Sequence, residues 1–289
     1  MKRTTAAVLA LALLLAVAFL LHRDLQEQKP PPRPPVRPPV VEAPVSAGPG
    51  APTPSTSAID AAPDVAAPPA SPPVLTGSVR GVVRFGGPVP RRKFVRTRAD
   101  PECEKMHGPQ LASDEFVVDP YGNLQWAFVH VKSGIAGPVP PAPTTPVLLD
   151  QVACVFTPHV LGIRVGQPLL IVNSDNLLHT VHSLPFENKE FNFGLPKSGM
   201  EETKRFGKPE VMIKLKCDVH PWMAAWIGVV DHPYFAITNA VGSFVLRDLP
   251  PGNYQIEAWH EKCNPVALPI GVGPGRESLL DFVLDEKKQ

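Results

Sequence analysis

From Leu75 onward, apolar runs are broken every ten residues or so by Gly, Pro or Asn, and no long 3.6-residue periodicity stands out. GSVRGVVRFGG, LQWAFVHVKSG, IRVGQPLLIVN, PEVMIKLKCDV, AWIGVVD, GSFVLRDL and GNYQIEAWH are such runs, rich in Val, Ile and Phe. β-branched and aromatic residues in short segments between turn formers predict strands. Many short strands at this spacing predict an all-β protein built from sandwiches.

The residues before Leu75 differ in texture. Lys2 and Arg3 precede an apolar run from Ala6 to Leu21, so residues 1–22 read as a signal anchor or a signal peptide. Ala16-Val17-Ala18 has the small-x-small form of a cleavage site, yet Phe19–Leu21 carry the run past it; the uncleaved anchor is preferred. The basic end would stay in the cytoplasm. The rest of the chain is then expected in the periplasm or another extracytoplasmic space, tethered to the cytoplasmic membrane, where disulfides persist. Residues 23–76 are a Pro/Ala-rich linker with no aromatic between Phe19 and Phe85. Such a segment buries too little to offset its chain entropy and reads as a disordered, extended tether. A net charge of +1 gives no electrostatic case for binding nucleic acid.

Chemistry concentrates in KCDVHPWMAAW, residues 216–226, which holds Cys217, His220 and Met223 within seven positions. In the preceding PEVMIKLKCDV, period-two alternation turns Val211, Ile213, Leu215 and Cys217 inward, and Met212, Lys214, Lys216 and Asp218 outward. Pro221 cannot continue a central ladder, so the chain must turn there before AWIGVV runs as the next strand. A cysteine at a strand end, followed by His and Met on the loop, can converge on one point. Cysteine, two histidines and a weak methionine are the donor set of a blue-copper electron-transfer centre. The second histidine must come from elsewhere, and IVNSDNLLHTVHSL offers His179 where a strand begins. Taken singly, Cys217 and Met223 are commonly core residues; it is the joint spacing that favours a metal.

N.D...H.VH followed some 35 residues later by C..H..M resembles the cupredoxins, most nearly the amicyanin type. The resemblance covers residues 147–232 and implies a Greek-key sandwich holding one mononuclear copper. Its implied ligands are His179, Cys217, His220 and Met223, with the backbone of Asn173 supporting the thiolate. It leaves His182 out of the ligand set, and implies that electrons leave through a partly exposed edge of His220, where a redox partner docks. Thr180 stands where the family usually has Asn. A second resemblance lies in ITNAVGSFVLRDLPPGNYQIEAWHEK, residues 237–262, which looks like half of a carboxypeptidase regulatory-like sandwich. Its other half is matched by GVVRFGGPVP and AFVHVKSG far upstream. The arrangement expected is one sandwich from 77–146 and 233–289 with the cupredoxin-like domain, 147–232, inserted; two side-by-side domains are the alternative.

Cys103 and Cys154 are the candidate disulfide, leaving Cys263 as a packed thiol. A further metal site using Cys154, His159, His107 or His260 lacks short ligand spacings. No GxSxG, HExxH or phosphate-cradling glycine loop occurs, so no enzyme is expected. The function expected is single-electron transfer by a type 1 copper protein. A copper storage or delivery module and a metal-free scaffold or adhesion protein are the alternatives.

Overall fold

The computed structural model describes residues 75–288. The anchor (1–22) and almost all of the linker (23–76) lie outside the described residues. Among those described, no helix is long and apolar enough to cross a membrane. Strands dominate the described residues, and the helix among them, α1 (Pro101–His107), is seven residues long.

One body has the strand Gly77–Phe85 at its centre, antiparallel to Ser243–Leu249 and parallel to Glu277–Leu279 and Phe282–Leu284. Its second sheet runs in the order Phe235–Ile237, Phe128–Ser133, Gly252–His260, Cys263–Val272. Val79, Val83, Phe244, Leu246 and Phe282 from the first sheet meet Val129, Val131, Tyr254, Ile256 and Ala258 from the second in one buried cluster. Two sheets sharing a core in this way form a sandwich.

The chain leaves this body after Ser133 and builds another from residues 147–230. Its five-stranded sheet orders Asn192–Leu195, His179–Leu184, Glu210–Lys216, Ala224–Val230 and Val160–Arg164. Facing it is a sheet of Met200–Lys204, Leu169–Asn173, Val147–Val152 and Val155–Thr157. Leu149, Leu169 and Ile171 pack across the gap on Val181, Ile213, Leu215, Ala225 and Ile227. Arg164 ties down the two crossings: its guanidinium donates to Pro140 O at 2.9 Å on the way in and Asp231 O at 2.7 Å on the way out.

The bodies meet through a small apolar cluster of Phe128, Val160, Met212, Val230 and Trp259. Gly162 and Gly228 are paired in register on neighbouring strands. A Cβ on Gly228 would come within 2.4 Å of the Phe128 ring, and one on Gly162 within 2.3 Å of Phe235. Two bare positions side by side therefore let two aromatic rings close against the sheet. Met212 belongs to this contact: it keeps the outward face expected of it but is covered by the other body and not by water, while Val211, expected inward, also packs here because the ladder shifts register between Glu210 and Ile213. Residues 94–112 depart from the outer sandwich expected for them. They form α1 and a two-stranded ribbon, Phe94–Arg96 with Gln110–Ala112, and Cys103 of α1 is disulfide-bonded to Cys154 of the other body.

Candidate metal centre

Cys217 follows the last residue of the strand Glu210–Lys216, and Met223 precedes the first residue of Ala224–Val230. Lys216 pairs with Ala224 across that hairpin. The connecting loop is closed by two backbone bonds: Cys217 N donates to Met223 O (3.1 Å) and Met223 N to His220 O (2.9 Å). His220 is thereby folded back beside the cysteine it follows by three residues. His179 opens the strand next in the sheet, where Lys216 faces His182; antiparallel pairing brings the start of one strand beside the end of the other. The turn that delivers His179 is shaped by Asn173. Its amide donates to Leu177 O (2.8 Å) and Leu195 O (2.7 Å), and its oxygen accepts from Asp175 N.

His179 Nδ1 lies 3.0 Å from His220 Nδ1, and Cys217 Sγ lies 3.7 Å from His220 Nδ1. The three donor atoms fall within 4.8 Å of one another. His179, Cys217 and His220 are 0%, 2% and 1% exposed, and Met223 at the loop end is 1% exposed. On the far side of each ring stands a carboxylate: Asp175 Oδ2 is 2.9 Å from His179 Nε2, and Asp100 Oδ2 is 3.1 Å from His220 Nε2. An ionised carboxylate only accepts, so each Nε2–H faces its carboxylate and each Nδ1 faces inward, a donor to the sulfur when the ring is protonated and a lone pair when it is neutral. Two imidazole lone pairs and a sulfur, brought together out of water, require a positive charge between them. A shared proton or a metal ion supplies it.

The sulfur is prepared for that charge. Burial pushes the Cys217 thiol up, but hydrogen bonds from His179 and His220 and from the Thr180 amide outweigh it and bring it down to about 5. Burial pulls the other way on His220, and its bonds to Cys217 and Asp100 raise it above the ordinary imidazole value. Thr180 N donates to Cys217 Sγ at 3.4 Å, and Thr180 Oγ1 accepts from Asp218 N at 2.7 Å. A thiolate is the form that binds metal. A soft sulfur with two imidazoles, and a thioether at the loop end, fits copper better than a hard oxygen-seeking cation.

Two expectations need correcting. The backbone donor to the sulfur belongs to Thr180; Asn173 acts one step earlier, by holding the turn before His179. The His220 edge is covered by Asp100 where an open edge was expected. Val181 is fully buried, while His182 lies partly exposed between Asp218 and Glu190, outside the donor cluster. Cys154 is committed to the disulfide and His159 pairs with Glu261; among the described residues no donor cluster gathers His159, His107 or His260. Cys263 is free and buried, and burial pushes its thiol up to about 12. Sequence reasoning missed Asp100 and Asp175. Asp175 lies inside the N.D...H pattern, four residues before His179; Asp100 gives no signal beyond an Asp-Pro helix start.

No family model matches the chain, and no curated protein matches it. Solved structures similar to part of it include a novel purple cupredoxin from Nitrosopumilus maritimus, 23% identical over 28% of this chain and 97% of that one, with a TM-score of 0.25. A copper-containing nitrite reductase from Thermus scotoductus SA-01 is 26% identical over 34% of this chain, with a TM-score of 0.27. The chain spans only 25% of that enzyme's length. A Cu(I) mutant of amicyanin is 18% identical over 35% of this chain and 97% of its own, with a TM-score of 0.27.

Proposed function

We propose that residues 147–232 hold one copper ion through His179, Cys217 and His220, with the Met223 thioether as a weak fourth donor, and that the protein carries single electrons. The observation that carries this reading is the convergence of the two inward Nδ1 atoms and the lowered thiol in a dry pocket. Copper bound there would cycle between Cu(II) and Cu(I). The chain's part is to hold the donors in one arrangement, so that little has to move when the charge changes. Asp175 and Asp100 fix the orientations of the two rings, Thr180 N steadies the sulfur, and all three donors are almost completely buried. That favours electron transfer over catalysis.

A redox partner would meet the loop from its exposed side, where Val219 is 42% exposed and Pro221 is also exposed. An oxidising, extracytoplasmic location is supported by the Cys103–Cys154 bond, with residues 1–22 as the tether. The test is to add Cu(II) to the purified protein and record its visible spectrum. An intense thiolate-to-copper band, saturating at one ion per chain, is expected. It should vanish in Cys217→Ala and persist in Cys263→Ala. Colourless protein rejects the reading.

A further inference from the structure

Asp100 stands 120 residues before His220, on the segment that leaves the outer body, and both of its oxygens are engaged. Oδ1 accepts from Glu102 N (2.9 Å) and Cys103 N (3.3 Å) at the start of α1, while Oδ2 faces His220 Nε2. Pro101 opens the helix, and Gly108, at φ +72°, closes it by donating to Glu104 O. Cys103 in its first turn is bonded to Cys154. The Cys154 amide donates to Asp175 Oδ2, the same oxygen that backs His179. From the end of α1, His107 Nε2 meets Ala153 O. Trp222, two residues past His220, donates to Cys154 O (3.0 Å). One covalent bond therefore pins a clasp whose two carboxylates reach the outer nitrogens of both rings.

We infer that Asp100 is a positioning residue for His220, and that α1 is a fixed cover over the ring edge. This rests on the copper reading. A carboxylate behind a metal-bound imidazole fixes its tautomer and makes it a stronger donor, and losing such a partner commonly costs about 10- to 100-fold in metal affinity. The stronger donor favours Cu(II) over Cu(I). The cover also excludes the His220 edge as the point of electron exit, so a partner must approach from the Val219–Pro221 side.

Three proteins, all full-length, decide it: wild type, Asp100→Asn and Asp100→Ala. Asn is as good a helix cap as Asp, so Asp100→Asn keeps α1 started while removing the charge. The readouts are the visible band, the midpoint potential by voltammetry, and exchange of the His220 Nε2–H by NMR in metal-free protein. In both variants the band is retained and the preference for Cu(II) falls about tenfold, a rise of about 59 mV for one electron. The Nε2–H exchanges at least tenfold faster. A purely capping role would lower the melting temperature of Asp100→Ala and leave Asp100→Asn at wild-type potential and exchange; that result overturns the inference and leaves the copper reading standing. Absence of the band in wild type overturns the copper reading. Unchanged Nε2–H exchange in metal-free Asp100→Asn separately removes Asp100 from its role.

Discussion

Met223 separates packing from ligation at a single side chain. It is buried among Leu215, Cys217 and Ala225 in the inner core. In the metal-free protein, Met223→Ala leaves a cavity and should cost about 2–5 kcal/mol. Met223→Leu conserves volume and should cost under about 1.5 kcal/mol. Urea unfolding of both variants checks this; equal costs would show that the loop collapses freely and that the thioether is not held in place. The clustering of the candidate donors was legible because their spacing is local: Cys217, His220 and Met223 occupy one hairpin loop, and His179 opens a strand announced by N.D...H. Their carboxylate partners were not. Asp175 is a turn residue until the fold gives it His179 and two amides. Asp100 becomes relevant only when tertiary structure spans 120 positions.

The element that most surprises is α1 with its disulfide. Strand runs could be read from Val and Ile patterns, and the two sandwich cores follow from them. Residues 94–112 carry no such pattern, and their place is set by one covalent bond and a set of polar contacts. Cys103 and Cys154 are 51 residues apart. Closing a loop of that length restricts the unfolded chain by an amount worth on the order of 4 kcal/mol. The Cys103→Ser/Cys154→Ser double variant should lose roughly that much in denaturant unfolding. Amides of 102–108 should exchange at solvent-like rates while those of Leu215 and Ile227 remain protected. Unchanged protection across α1 would mean that its polar contacts alone hold the cover.

For the molecule as a whole, acid is the informative stress. His260, 1% exposed, has its ring Nδ1 accepting from Lys262 N. Burial, with the neighbouring His159, Lys287 and Lys262, pulls it down to about 3. Burial likewise lowers His232. Glu257 is brought down to about 2 by its bond to His130, against the opposing effect of burial, with Lys132 helping. All three groups release their protons more readily when folded, so the unfolded chain binds more protons across these windows and stability falls as pH falls. His260 contributes from about pH 6.5 down to about 3, and Glu257 from about 4.5 down to about 2. The melting temperature should decline through both windows, and His260→Asn should flatten the stretch between pH 6.5 and 4.5. An unaltered slope there would show that His260 titrates normally.

X-ray absorption at the copper edge of the Cu(II)-loaded protein bears most directly on the central claim. The account predicts one tightly bound copper per chain with a single short sulfur and two imidazole nitrogens, the sulfur lost in Cys217→Ala. A spectrum of oxygen and nitrogen scatterers alone, unchanged by that substitution, would contradict it.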